Sequence, residues 1–258
     1  MADDEILVRE QRGNVLVLRL NRPEARNAFN PELLGKFGRG LLDAEADPDV
    51  RCVVLTGTGD RAFCAGMDLA AFASGEAGDP DTEGLAAYGR FNDGEITVPI
   101  VGAAQATAVA GGFELLMGCD LIVAADSAKF GLPEVKRGLF AAGGGMYLST
   151  RIPLAIALEL TLTGDYIESD RALALGLVNR VVPAADVVDE AVAFGEKIAK
   201  NGPLGLEATK RLIRLAAVDA PKAKELEREL QPKVFGSEDA IEGATAFVEK
   251  RDPVWKGR

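Results

Sequence analysis

Two glutamates stand in segments that are otherwise apolar or glycine-rich: Glu114 within Ala110-Gly-Gly-Phe-Glu-Leu-Leu-Met-Gly-Cys-Asp120, and Glu134 within Lys129-Phe-Gly-Leu-Pro-Glu-Val135. An ionised carboxylate is costly to bury without a partner, so a glutamate between Gly111-Gly112 and Leu115-Leu116-Met117 calls for a reason. General acid/base work supplies one. A free glutamate titrates near about 4.3, but two carboxyl groups held close together in an apolar pocket share a proton, so that one donates while the other accepts. Taken alone, Glu134 also reads as a first-turn carboxylate that complements a helix dipole after Pro133.

Two further segments offer backbone chemistry. Ala62-Phe-Cys-Ala-Gly-Met-Asp-Leu69 sets small residues where an amide can approach a ligand closely, and Ala110-Gly-Gly112 does the same at the start of a helix, whose positive end adds to the effect. Two such amides aimed at one point form an oxyanion hole; either segment alone reads as loop glycine at a tight contact. Gly57-Thr-Gly-Asp-Arg-Ala62 matches a dinucleotide fingerprint, but Phe63-Cys-Ala-Gly66 follows it in place of the required amphipathic helix, which argues against a nicotinamide site.

The elements that must position these groups follow from periodicity. Ile6-Leu-Val8 and Val15-Leu-Val-Leu18 flank Gln11-Arg-Gly-Asn14 as a hairpin. Asn30-Pro31 caps a helix to about Ala46, with Leu33, Leu34, Phe37, Leu41 and Leu42 on one face. Cys52-Val-Val-Leu55, Pro99-Ile-Val101 and Leu121-Ile-Val-Ala124 read as buried strands, each followed by a loop or helix. Ala71 to Gly84 reads as a loop, and a helix through Tyr88 and Phe91 follows. Helical patterns cover 143–161, 169–176, 184–200 and 203–217, broken only by Leu177-Val-Asn-Arg-Val-Val182, and Pro221 to Lys250 adds two more amphipathic segments. This α/β pattern predicts a core over 1–200 and a helical region over 201–258 suited to self-assembly.

Composition narrows the chemistry. The 258 residues are 48% hydrophobic and carry a formal charge of -11, a field that repels phosphate backbones and argues against nucleic acid as a partner. The chain has no histidine and three widely spaced cysteines, which excludes a Ser-His or Cys-His nucleophile, most zinc sites and a disulfide framework. Cys64 therefore reads as packing. The acidic start and the lack of an apolar run near the roughly 20 residues of a membrane span predict a soluble, cytoplasmic protein that does not associate with membranes.

The order of Asn21-Arg-Pro-Glu-Ala-Arg-Asn-Ala28, Ala62-Phe-Cys-Ala-Gly-Met-Asp-Leu69, Ala110-Gly-Gly-Phe-Glu114, Cys119-Asp120, Phe130-Gly-Leu-Pro-Glu134, Leu162-Thr-Gly164 and Ala246-Phe-Val-Glu-Lys-Arg251 resembles the crotonase superfamily, above all enoyl-CoA hydratases. The resemblance runs from the first hairpin to the last helix. It implies a spiral of stacked ββα units closed by a helical C-terminal region that builds a trimer or a dimer of trimers, and an acyl-CoA thioester as substrate. It implies an oxyanion hole from the backbone N–H groups of Met67 and Gly111, with Glu114 activating water for the β-carbon and Glu134 handling the proton at the α-carbon. Arg22, Arg26, Ala62, Cys64, Ala65, Asp68, Leu69, Phe247 and Lys250 are the residues it implies for the acyl-CoA, Lys250 by reaching a neighbouring subunit's ligand. For Arg22 and Arg26, a solvated loop arginine is the commoner fate. Coenzyme A enters as part of the substrate, and no metal or redox cofactor is required.

Met67, Phe72, Tyr88, Phe91, Leu139, Phe140 and Met146 are candidates for the acyl pocket, although apolar residues at such spacing also serve as core. Many hydratases of the family carry three glycines where this chain has Ala110-Gly111-Gly112. Retention of both Glu114 and Glu134 favours hydration over double-bond isomerisation, which needs one carboxylate. The alternatives are another crotonase reaction, an isomerisation or a specialised acyl-CoA dehydration, and a non-catalytic acyl-CoA-binding relative.

Overall fold

A computed structural model describes residues 5–69, 71 and 81–258. Its first unit is the expected hairpin: β1 (Leu7–Arg12) and β2 (Val15–Leu20) pair antiparallel, with Gly13 at φ +58° in the turn between them. From β2 onward every ladder of the large sheet is parallel, through β3 (Cys52–Gly57), β4 (Ile100–Ala104), β6 (Leu121–Ala125) and β9 (Arg180–Val182), in the order β1-β2-β3-β4-β6-β9. The residues of β3 and β4 are buried throughout, which explains why they read as continuous apolar runs instead of alternating ones.

A second layer forms beside this sheet. The short strands β5 (Ala108–Val109), β7 (Lys129–Gly131) and β8 (Ile167–Glu168) pair with one another, and isolated parallel bridges Cys64↔Ala108 and Phe29↔Met67 extend the layer towards the N-terminus. Four strands of the large sheet are thus each followed by a contact in the small layer: β2 by Phe29, β3 by Cys64 and Met67, β4 by β5, β6 by β7. A helix then returns the chain to the next turn. This is the spiral of ββα units that the resemblance implied.

The helices do what their sequences predict. In α1 (Pro31–Ala46), Asn30 accepts the Leu33 N–H at 2.9 Å as N-cap, and Leu33, Phe37 and Leu41 are buried. α2 (Thr82–Asn92) crosses α1 at glycines: a Cβ on Gly38 would lie 1.8 Å from the Gly84 carbonyl oxygen. α3 (Gly111–Gly118) buries every residue from Gly111 to Met117, an all-apolar helix at the centre of the core apart from Glu114. α4 (Leu154–Thr163), α5 (Ser169–Ala174) and α6 (Val187–Ala199) follow, and α7 (Pro203–Ala216), α8 (Ala220–Phe235) and α9 (Glu238–Glu249) form the helical C-terminal region.

Two expectations change. The helix read over 143–161 is two pieces, a 3-10 segment Gly145–Thr150 and then α4, because three consecutive glycines disfavour a regular helix and Pro153 restarts it. The strand read over Leu177–Val182 shortens to β9. The loop expected after Ala71 lies largely outside the described residues, as does Phe72; α2 already begins at Thr82. Among the described residues no helix is long and apolar enough to cross a membrane.

Candidate active site

The small layer brings the two glutamate segments together. β5 and β7 lie parallel, with Val109 opposite Gly131, and the Ala110 N–H donates to the Gly131 carbonyl at 2.9 Å. Two residues past this ladder the first segment enters α3 at Gly111 and the second enters a 3-10 turn, Pro133–Arg137. Glu114 and Glu134 thus leave the same end of the same pair of strands.

Glu114 is 5% exposed, and its Oε1 accepts the Gly145 N–H at 2.9 Å. Burial raises its pKa above the ordinary glutamate value, the Gly145 N–H opposes the rise, and the negative charge of Glu134 adds to it. A side chain on Gly143 would come within 2.9 Å of the Glu114 Oε2, so the backbone of the Gly143–Gly145 segment lies directly against the carboxyl group. Burial also raises the pKa of Glu134, against its own backbone N–H and the charge of Arg137. Its Oε2 is a buried acceptor with no hydrogen-bond partner among the described residues. A buried acceptor without a partner, on a carboxyl whose pKa is raised by burial, is a polar group that a bound ligand can satisfy.

The backbone donors expected from the sequence are the N–H groups of Gly111 and Met67. α3 has no side-chain N-cap, and among the described residues neither Gly111 N–H nor Met67 N–H has a protein acceptor. Their segments are pressed together: a Cβ on Gly66 (φ +90°) would lie 3.0 Å from the Gly111 nitrogen, one on Gly111 would strike the Phe29 ring at 2.4 Å, and one on Gly112 would fall 2.1 Å from the Cys64 carbonyl oxygen. Side chains at these positions would force the segments apart. Ala110, just before the helix, sits at φ 53°, ψ −136°, a conformation that a residue with a Cβ occupies only under constraint.

Most of the other expected contact residues hold the loop that carries Met67. The Arg22 guanidinium donates to Asp68 at 2.9 Å and to the Ala28 carbonyl at 2.6 Å, so it fastens the residue after Met67. The Asp68 N–H in turn bonds the Phe29 carbonyl at 2.9 Å. The exposed Arg26 accepts the Ala65 N–H on its carbonyl at 3.1 Å. Ala62 and Cys64 are enclosed and support the loop from beneath; burial lifts the Cys64 thiol to about 12, which leaves it protonated and unreactive. Met67 and Leu69, at 49% and 51% exposed, point outward. Phe247 and Lys250 lie at the C-terminal end of α9, and no hydrogen bond or ion pair among the described residues links them to the glutamate segments.

Asn27 is the supporting residue that sequence inspection passed over. It is fully buried at φ 54°, and its Nδ2 donates to the carbonyls of Thr58 and Ala62 at 2.9 Å each, which ties the Arg22–Ala28 turn to the loop before Met67. The signal was its place beside Arg26 in the Asn21–Ala28 motif, since asparagine is among the few residues that adopt the left-handed region readily. Of the acyl-pocket candidates, Phe91 belongs to the core: it is 1% exposed and packs edge-on against Phe37, ring centroids 5.1 Å apart. Tyr88 is half-buried, and Leu139, Phe140 and Met146 are exposed. An open cavity of about 940 Å³ reaches Glu114 past Gly143, Gly144 and Tyr147 and continues towards α7.

The sequence profile described as enoyl-CoA hydratase/isomerase matches residues 10–258. An enoyl-CoA hydratase of Mycobacterium tuberculosis is 38% identical over 255 residues, covering 96% of each chain, and a carnitinyl-CoA dehydratase of Escherichia coli is 39% identical over 254 residues, covering 95% of this chain and 96% of the other. The crystal structure of an enoyl-CoA hydratase from Mycobacterium tuberculosis superposes with a TM-score of 0.90 at 43% identity, over 98% of this chain and 99% of that one. With profile, sequence and fold in agreement from the first hairpin to the C-terminal helices, the chain belongs to the enoyl-CoA hydratase/isomerase family of crotonase-fold enzymes.

Proposed function

We propose that this enzyme adds water reversibly across the double bond of a trans-2-enoyl-CoA to give a 3-hydroxyacyl-CoA. The observation that carries the reading is the orphan Oε2 of Glu134 on a carboxyl whose charge acts on the buried Glu114, together with two N–H groups, on segments packed against each other, that have no protein acceptor among the described residues. Addition at the β-carbon sends negative charge to the thioester oxygen, and Met67 N–H and Gly111 N–H are the donors assigned to receive it. Glu114, held by Gly145, takes a proton from the attacking water, and Glu134 delivers one to the α-carbon; dehydration reverses the two roles. Burial raises the pKa of both carboxyl groups, and the Glu134 charge raises Glu114 further, which shifts the pair towards holding a proton that one can give while the other accepts. The reading requires no metal or redox group.

Similarity to a carnitinyl-CoA dehydratase favours a second substrate for the same chemistry, a 3-hydroxyacyl-CoA with a cationic chain, worked in the dehydrating direction. Exposed Leu154, Leu158 and Leu162, one stripe of α4, support self-association of the chain. The test follows enoyl-thioester absorbance with crotonyl-CoA, a longer trans-2-enoyl-CoA and carnitinyl-CoA. Turnover of at least one, slowed about 10²-fold or more in both Glu114→Gln and Glu134→Gln, is the expected result. Equal turnover in wild type and both variants, or tight binding of all three with no turnover, overturns it.

A further inference from the structure

Helix α3 presents the Gly111 N–H and Glu114 at its first turn, and its other end is held by two arginines. The Arg151 guanidinium donates to the carbonyls of Met117, at 2.7 Å, and Cys119, and Arg214 donates to the carbonyl of Gly118 at 2.7 Å. Three successive acceptors that an α-helix leaves unpaired at its C-terminus are thus capped by side chains from two other parts of the fold. Arg214 comes from α7, where Asp120 pairs with both Arg214 and Lys210, each at 2.8 Å. Arg151 closes the Gly145–Thr150 segment whose first N–H holds Glu114, so this one segment grips α3 at the catalytic carboxyl and at the far end. Two like charges lie close here, since Arg214 is among the groups that act on Arg151. Packing alone would not call for two half-buried cations at one helix end, because an apolar contact would serve.

We propose that Arg151 and Arg214 are positioning residues for the reaction: by clamping the C-terminal carbonyls of α3 they fix its travel along its own axis, and so the placement of the Gly111 N–H and the Glu114 carboxyl against the thioester. The proposal rests on the hydratase reading for its effect on turnover, but not for its effect on a bound carbonyl. The helix is one short rigid body of 8 residues, so slack at one end reaches the other. A misplacement of about 1 Å costs on the order of 10²-fold in rate, and loss of one clamp is a part of that, about tenfold.

The experiment uses 2,4-hexadienoyl-CoA, whose conjugated absorbance moves to longer wavelength when its carbonyl is polarised, together with kcat and KM on the substrate that wild type turns over. Arg151→Met and Arg214→Met are expected to reduce the red shift of the bound thioester and to lower kcat about tenfold while KM stays within about threefold, and Arg151→Lys is expected to restore part of both. If a Met variant does not fold, Arg151→Lys and Arg214→Lys give the same reading at smaller amplitude, since lysine keeps the charge and loses the planar fork. A lower melting temperature with the full red shift, and kcat within twofold where wild type turns over, assigns the arginines to stability alone and overturns the proposal. If wild type shifts the dienoyl absorbance yet hydrates nothing, the hydratase reading fails while the red shifts of the variants still decide this one.

Discussion

Gly112→Ala tests whether the distance between the two segments proposed to form the oxyanion hole sets the rate. The added Cβ would fall 2.1 Å from the Cys64 carbonyl oxygen, 2.6 Å from its carbon and 2.8 Å from its Cβ. Ordinary C···O contacts begin at about 3.3 Å, so about 1 Å of separation has to open between α3 and the loop. Neither side yields by rotating a side chain. Cys64 is fully buried, its carbonyl accepts the Val109 N–H at 3.2 Å, and Gly112 is the second residue of a buried helix. Met67 lies three residues beyond Cys64 and Gly111 one before Gly112, so the two N–H groups move apart with their segments. A 1 Å misplacement and the loss of one oxyanion donor each correspond to roughly 10²-fold in rate. Overpacking costs about 1–3 kcal/mol of stability, or several degrees in Tm. Steady-state turnover and thermal unfolding by circular dichroism read the two effects separately. Gly89→Ala is the control, since a Cβ there meets nothing within 4 Å and α2 gains a better helix former. A folded Gly112→Ala protein with kcat within about threefold of wild type would refute the argument that this contact positions the hole.

Glu114→Gln should stabilise the protein increasingly as pH rises. The folded pKa of Glu114 is raised above its unfolded value, so its favourable contribution is full below about 4.3 and is lost as pH climbs through the raised value, whereas glutamine does not titrate. Unfolding from pH 4 to 8 should therefore show a widening Tm advantage for the variant, and a constant difference counts against the raised pKa. Ala110→Gly should also stabilise: leaving φ 53°, ψ −136° relieves about 1–3 kcal/mol of strain against about 0.5–1 kcal/mol of added chain entropy. A Tm gain of a few degrees is expected, and a lower Tm would show that Ala110 sits there without strain.

How much was legible depended on how local each feature is. The hairpin, the Asn30-capped α1 and the strands β3, β4 and β6 are each specified by periodicity or capping within one stretch of chain, and they stand close to where the sequence puts them. The two carboxyl groups were visible because glutamate is out of place in segments so apolar, and the close glycines because they sit beside them. The short strands β5, β7 and β8 were not visible, since two or three residues carry no period, and the pairing of β5 with β7 is what brings the Glu114 and Glu134 segments together.

What the sequence by itself determined is therefore the set of chemical parts and the local elements that carry them. Tertiary structure decided their partners. The Gly145 N–H that holds Glu114 lies 31 residues away, the Ala62 carbonyl that anchors Asn27 lies 35 away, and Arg22 meets Asp68 across 46. Tertiary structure likewise gave Arg22 a partner in Asp68 on the Met67 loop, and placed Phe91 in the core and not in the acyl pocket. Such contacts form only when successive turns of the spiral stack, because the groups that meet belong to different turns, and nothing in the local order of residues specifies which turn a side chain will face.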